Sequence, residues 1–175
     1  MVDARELPFF NEFFDKLSNA IQKSRLHPKL QMAIAYYGKA CQEDSAADEL
    51  LDLCICLESM LTQQGEGLGH KLGQRAANIL GSDGAERSRI FDEIKSFYDV
   101  RSKIVHGDHL KGSRLQRLDQ VPRLQQYARR LILAVIPFND ELDNESNFYR
   151  LLDEMSLDES ARKEFQAKSS TILHS

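Results

Sequence analysis

Residues 85–107 read AERSRIFDEIKSFYDVRSKIVHG, and their apolar positions recur every three or four residues. This spacing predicts a long amphipathic α-helix from Ala85 to about Val105, which Gly107 can end. On a helical wheel the apolar side chains fall within an arc of roughly 140°. They are Ile90, Phe91, Ile94, Phe97, Tyr98, Ile104 and Val105. Arg101 lies near the centre of that arc, and an unpaired buried guanidinium costs several kcal/mol. We therefore expect Arg101 to meet a carboxylate, or to open onto a cleft or a subunit interface.

A second misplaced charge lies earlier in the chain. Residues 46–62 have the spacing of another amphipathic helix, and Glu58 falls inside its apolar arc between Cys54 and Leu51. If the two helices pack together, Glu58 can hold Arg101 through a charge-assisted hydrogen bond. Such a pair either fixes the register of the two helices or positions Arg101 for a function.

The remaining segments predict further helices and no strand. The spacing of apolar residues indicates helices at about 8–23, 28–42, 70–81, 119–137 and 147–155. Asp119 is the expected cap of the helix that contains Pro122 in its first turn. Residues 107–117 are expected to form a polar basic loop, and the polar C-terminal end is expected to fray. The fold class is therefore an all-α, antiparallel helical bundle with additional terminal helices.

Composition agrees with one globular domain. The chain has 175 residues, of which 42% are hydrophobic and 29% are charged. It contains no apolar run of about 20 residues and no basic segment followed by an apolar block, so we expect a cytoplasmic protein without membrane contact. The odd set Cys41, Cys54 and Cys56 predicts reduced thiols in or beside the core. We expect an N-terminal helix and connector at 1–27, the bundle at 28–138, and an acidic helical extension of the same domain at 139–175.

Charge is unevenly distributed along the chain. The net charge is −4, yet residues 101–130 alone carry +6 and the rest −10. A basic surface beside Arg101 would attract phosphates, whereas charges scattered over the surface would not. The candidate phosphate-binding side chains near it are those of Lys103, His109, Lys111 and Arg114.

Residues 98–107, YDVRSKIVHG, resemble the R-x4-H signature of the HEPN superfamily. The closest form is the Y-x-x-R-S-x-h-x-H-G pattern of the ApeA-like HEPN group, in which h is hydrophobic. The segments CLESML at 56–61 and LGQRAANILG at 72–81 are also similar to that group, and the resemblance covers about 28–138. It implies a HEPN-like bundle that forms a homodimer, with the R-x4-H elements of two subunits meeting at a cleft.

The resemblance also implies a function. Many HEPN proteins are metal-independent endoribonucleases that use no cofactor and act as toxins or antiphage effectors, so RNA and an antitoxin or regulatory protein become expected partners. By position, Arg101 and His106 would be the catalytic pair, and Ser102 stands where the family commonly has a polar residue. Some HEPN toxins that a nucleotidyltransferase inactivates have a tyrosine two places after the histidine, and this chain has Asp108 there.

These residue types suit RNA cleavage by attack of the 2′-hydroxyl on the adjacent phosphorus. Histidine can transfer protons near neutral pH, and arginine supplies a permanent positive charge for the phosphoryl oxygens. One chain offers one histidine within the motif, whereas a two-fold interface would bring two.

Other interpretations of the same residues stay open. A HEPN-like dimer could bind RNA, a nucleotide or a protein partner without cutting anything. His106, Asp108 and His109 could instead be metal ligands, although they supply at most three. Tyr98 could support the site by stacking on a base, or could simply belong to the core. Arg75 could bind phosphate, or could lie on a solvated helix face.

Overall fold

The computed structural model describes residues 15, 17, 18, 26–63 and 67–173. These residues contain helices and turns but no strand, which confirms the predicted all-α class. The helices are α1 (Pro28–Ala40), α2 (Ala46–Leu61), α3 (Leu68–Leu80), α4 (Gly84–Val105), α5 (Ser113–Arg117), α6 (Val121–Val135), α7 (Glu145–Glu154) and α8 (Glu159–Leu173). Short 3-10 turns lie at Leu118–Gln120, Ile136–Phe138 and Glu141–Asn144. Apart from three residues, the helix expected at 8–23 lies outside the described residues.

Local signals set both ends of α4. Asp83 accepts a hydrogen bond from the backbone N–H of Glu86, and the Glu86 carboxylate accepts one from the backbone N–H of Ser82. This reciprocal capping satisfies N–H groups that a helix start leaves unpaired. At the other end Gly107 has φ +73°, and the N–H of Asp108 donates to the Lys103 carbonyl at 2.9 Å. These are the marks of a Schellman ending, which stops the helix at His106.

Helices α1 and α2 form one packed hairpin, α3 and α4 form a second, and α6 packs against both. The interior is almost wholly apolar, and each fully buried leucine contributes about 1.5–3 kcal/mol. Its centre includes Leu30, Leu50, Leu53, Leu57, Leu72, Phe97, Leu124 and Leu131. Cys54 and Cys56 are buried and Cys41 is half-buried, all three as free thiols, as predicted. No helix within the described residues is both long and apolar enough to cross a bilayer.

Two glycines let α3 lie unusually close to α4. A Cβ added at Gly73 would come within 3.0 Å of the Phe91 carbonyl oxygen, and one added at Gly69 within 2.7 Å of the Tyr98 ring. Both distances are shorter than ordinary van der Waals contact. Because Gly69 has no side chain, the Tyr98 ring can lie directly against the backbone of α3.

The C-terminal extension is folded onto the bundle. The ring of Phe165 stacks on Phe138 with centroids 4.0 Å apart, and the Ser169 hydroxyl donates to the Ala134 carbonyl. The Gln166 amide donates to three carbonyls at the end of α3, where a helix leaves its last carbonyls without helical partners. The expectation of a frayed end is therefore wrong for residues 159–170, because apolar packing and end-capping hold α8 in place.

Two local predictions between α4 and α6 are also wrong. The supposed loop at 107–117 contains the short helix α5. Asp119 does not cap α6, since it lies inside the 3-10 turn Leu118–Gln120 and Gln120 precedes the helix without a side-chain capping bond. The turn runs directly into α6, which leaves no extended residue to serve as a cap.

Arg75 is the clearest buried charge in the fold. Its side chain is 5% exposed and forms two hydrogen bonds to the Asp153 carboxylate of α7, at 2.8 and 2.9 Å. It also donates to the Leu61 carbonyl at the end of α2. Arg75 thus joins three helices, and it is neither on a solvated face nor free to bind phosphate.

Candidate functional site

The last two turns of α4 carry the residues that the sequence singled out. The buried side of this helix consists of Ile90, Ile94, Phe97 and Val100. Val105 is instead 55% exposed, and the Arg101 side chain is 27% exposed. With 100° per residue, the middle of the buried side lies about 35° away from Arg101.

On the wheel Arg101 still lies between Ile90 and Ile94, so its place within the apolar stripe is as predicted, but its side chain is only half-buried. The short helix α5 folds back along another side of α4. Arg114 and Arg117 of α5 bond Asp99 and Ser96 of α4 at 2.9 and 3.0 Å. This contact covers α4 on the side next to Val100.

The predicted pair between α2 and α4 is present. Nη2 of Arg101 lies 3.6 Å from Oε1 of Glu58, whose side chain is 21% exposed. This distance is longer than a hydrogen bond, and Oε1 of Glu58 is buried without a hydrogen-bond partner. The guanidinium is therefore held on one side by charge attraction, while its other N–H groups remain able to bind a second anion.

Tyr98 forms the other wall around the Arg101 guanidinium. The Cζ atom of Arg101 lies 5.4 Å from the centre of the Tyr98 ring, close enough for a cation–π contact. Burial raises the pKa of Tyr98 to about 12, with the Glu58 charge as the next cause and Arg101 opposing them. The phenol is consequently neutral at physiological pH. Burial likewise raises the pKa of Cys54 to about 12, which makes this neighbouring thiol unreactive.

His106 is the residue at which α4 ends. Its backbone N–H donates to the Ser102 carbonyl at 3.1 Å, and its side chain is exposed. Ser102 itself is half-buried. Arg101 and His106 are separated by about 7.5 Å along the helix axis and about 140° around it. Both therefore lie at one accessible end of the helix, but on different faces of it.

The predicted basic surface beside this end is interrupted by carboxylates. Lys103 pairs with Asp108 at 3.0 Å, and Arg114 pairs with Asp99 at 2.9 Å. The bond from Lys103 lowers the pKa of Asp108 below its usual value. Lys111 and His109 are exposed, and neither forms an ion pair within the described part of the chain. The surface is thus of mixed sign rather than uniformly basic.

The described residues of this region form no metal cluster around the histidine. No three His, Cys, Asp or Glu side chains among the described residues converge to hold a metal ion, and His106, Asp108 and His109 do not form such a group. The Asp108 carboxylate is already bonded to Lys103. The interpretation of these three residues as metal ligands therefore finds no matching geometry.

Exposed apolar side chains lie close to the motif in sequence. Val105 is 55% exposed at the end of α4, and Leu115 of α5 is 53% exposed. Large apolar side chains on a surface are compatible with a contact to another protein.

One polar cluster, between α4 and α6, was not predicted from the sequence. Tyr127 donates to Glu93 at 2.6 Å, and Arg123 contacts the same carboxylate oxygen at 2.7 Å. Arg89 reaches the Tyr127 hydroxyl at 3.4 Å. The only signal in the sequence is that Arg89 and Glu93, and likewise Arg123 and Tyr127, are four residues apart and so share a helix face.

Comparison with known proteins yields no relative. No protein-family model, no curated protein and no solved structure matches this chain.

Proposed function

We propose that this chain is a metal-independent, HEPN-type endoribonuclease that acts as a homodimer, with Arg101 and His106 as its catalytic residues. The observation that carries the proposal is the state of Arg101. Its guanidinium is partly exposed at the same helix end as the exposed His106, and its ion pair with Glu58, at 3.6 Å, is longer than a hydrogen bond. A cation and an imidazole that solvent can reach are groups that RNA transesterification uses, for charge stabilisation and for proton transfer.

The reaction needs two proton transfers around one phosphorus atom. A neutral imidazole removes the proton from the 2′-hydroxyl, whose oxygen then attacks the adjacent phosphorus. A second, protonated imidazole donates a proton to the departing 5′-oxygen, which leaves as a hydroxyl group. The products are a 2′,3′-cyclic phosphate and a 5′-hydroxyl end. Arg101 stabilises the negative charge that develops on the nonbridging phosphoryl oxygens.

Dimerisation supplies the second imidazole. One chain has one histidine in the motif, and a two-fold axis beside the end of α4 would bring His106 of two copies together. The exposed side chains of Val105 and Leu115 give such an interface apolar contacts. Ser102 and Tyr98 support Arg101 from the same helix, while Lys103, His109, Lys111 and Arg114 surround the path of the RNA. For Lys103 and Arg114 this requires phosphate to compete with Asp108 and Asp99.

The resemblance to HEPN proteins also suggests a cellular role. A cytoplasmic ribonuclease of this type would act as a toxin or an antiphage effector, and an antitoxin or other regulatory protein would restrain it. The rival is a HEPN-like dimer that binds RNA, nucleotide or protein without cleaving RNA.

RNA cleavage in EDTA tests the proposal. The purified chain is incubated with mixed RNAs, and the new ends are identified by mass spectrometry. We expect cyclic phosphate ends, a fall in rate of about 10²–10⁴-fold in His106→Ala, and a comparable loss in Arg101→Ala. His70→Ala and Arg150→Ala are matched controls, because both side chains are exposed and lie outside the proposed site.

The alternative outcomes are distinct. RNA that is bound but remains intact would overturn the catalytic role and favour the binding dimer. A chain that neither binds nor cuts RNA would overturn both. Cleavage that survives in His106→Ala would remove His106 from the mechanism.

A further inference from the structure

An open groove lies between α4 and α6, well away from His106. It encloses about 640 Å³, a volume within the range of about 300–1,000 Å³ that small-molecule sites occupy. Arg89, at its α4 wall, precedes His106 by 17 residues, which corresponds to about 26 Å along the helix. The lining side chains are Arg89, Asp119, Gln120, Pro122, Arg123, Gln126, Tyr127 and Arg130.

The lining of the groove carries three guanidinium groups and one carboxylate, that of Asp119. The three guanidinium groups differ in how closely they are bound by neighbouring residues. Arg123 is held by Glu93 at 2.7 Å, whereas the contacts of Arg89 with Glu86 and Glu93 are 3.6 and 3.9 Å, beyond hydrogen-bond length. Arg130 makes one long bond of 3.3 Å, to a backbone carbonyl. Each guanidinium has five N–H donors, so most donors of Arg89 and Arg130 remain free for a ligand.

The buried Tyr127 and the half-buried Glu93 hold these cations in place. The Glu93 side chain is 16% exposed and Tyr127 is 4% exposed. The Tyr127 hydroxyl donates to Glu93 and lies within 3.3–3.4 Å of both Arg123 and Arg89. Burial, with the hydrogen bond to Glu93 as the next cause, raises the pKa of Tyr127 and keeps the phenol neutral. Arg123 and Arg89 are thus anchored at the floor, which reduces the entropy lost when they bind an anion.

We propose that this groove binds phosphoryl groups, with Arg89 and Arg130 contacting the phosphate oxygens and Arg123 completing the cationic wall. Planar guanidinium groups match the oxygen pairs of phosphate, and the lining presents three of them beside one carboxylate, that of Asp119. The amides of Gln120 and Gln126 offer donors and acceptors for a nucleobase or sugar. The source of the phosphate is either a free nucleoside polyphosphate or an RNA strand. The site is independent of RNA cleavage at His106.

Calorimetric titration in EDTA distinguishes these sources. The probes are pyrophosphate, ATP and a short RNA, titrated into the His106→Ala chain so that the RNA stays intact. Binding of pyrophosphate and ATP identifies a nucleotide site. Binding of the RNA alone identifies the strand as the source only if it also moves the Tyr127 signal described below, because RNA has a second proposed site at Arg101. In either case the added substitutions Arg89→Gln and Arg130→Gln should weaken binding by at least about tenfold. The matched control is Arg150→Gln, since Arg150 is also exposed but pairs with Glu154 on α7.

A second measurement locates the ligand. With labelled tyrosine, the NMR signal of Tyr127 should shift on addition of the bound probe, whereas that of Tyr36 should not. Absence of binding by all three probes would overturn the assignment. Equal affinity in the Arg89→Gln, Arg130→Gln chain and in the Arg150→Gln control would overturn it as well, and so would a Tyr127 signal that does not move.

Discussion

Gly69 offers a way to disturb Arg101 without altering any charged group. It lies in the first turn of α3, directly against the Tyr98 ring beside which the Arg101 guanidinium sits. A Cβ added there would be 2.7 Å from Cδ1 of Tyr98, where ordinary contacts begin near 3.4 Å. In the substitution Gly69→Ala the ring must therefore move by about 0.7 Å or more.

Two opposing contributions determine how much Gly69→Ala changes the free energy of unfolding. Overpacking of this kind costs about 1–3 kcal/mol, while alanine is favoured over glycine in a helix by at most about 1 kcal/mol. Gly38→Ala is the matched control, because Gly38 lies in α1 with nothing within 4 Å of its added Cβ. That variant should be more stable than the natural chain by about 0.5–1 kcal/mol. The difference between the two variants should then be about 1–3 kcal/mol, or about 2–12 °C in Tm.

Urea and thermal unfolding, followed by circular dichroism, measure this difference. Displacement of the ring should also lower the pKa of Tyr98 from about 12 toward the ordinary value near 10, which a tyrosine titration by NMR detects. If Gly69→Ala matches Gly38→Ala in stability and leaves the Tyr98 titration unchanged, the reasoning about this contact is refuted.

Three further predictions concern the buried polar groups. Alkylation followed by mass spectrometry should label Cys54 and Cys56 only after unfolding, because burial excludes the reagent and raises the pKa of both thiols; labelling of the folded chain would contradict their burial. Arg75→Met should lower the free energy of unfolding in urea by about 1–3 kcal/mol, since a buried carbonyl loses its donor; an unchanged midpoint would refute this. Burial of neutral Tyr98 stabilises the fold fully below its unfolded pKa of about 10, and that contribution is lost as pH rises through about 12. Between these pH values the free energy of unfolding should therefore change less with pH in Tyr98→Phe than in Tyr36→Phe. Equal changes with pH in the two variants would contradict the raised pKa of Tyr98.

Much of the helical framework could be read from the sequence. The helix predicted over 85–105 is observed as Gly84–Val105, because a sustained apolar period and a terminal glycine determine such a segment locally. The pairing of Glu58 with Arg101 was predictable for a similar reason. Two helices each carried one charge of opposite sign on an apolar face, so packing of those faces brought the charges together.

The errors share one physical cause, which is contact with distant parts of the chain. A helical wheel placed Arg101 within the apolar stripe, but it could not show that the side chain is only half-buried in the assembled bundle. The burial of Arg75 depends on its partner Asp153, which lies 78 residues away on α7. The end of the chain has a polar composition, yet Phe165 finds Phe138 and stabilises α8. Local pattern determines the helices, whereas tertiary packing decides which of their charges are accessible.

Subunit mixing tests most directly whether two copies share one RNA-cleaving site. The natural chain and the His106→Ala chain are mixed in equal amounts, allowed to exchange subunits, and assayed for RNA cleavage in EDTA. If each cut requires His106 from both copies, only dimers of two natural chains are active, and the rate should fall to about one quarter of that of the same total amount of natural protein. A fall to about one half would mean that each subunit cuts by itself and would contradict the shared site. No cleavage by the unmixed natural chain would contradict the activity itself.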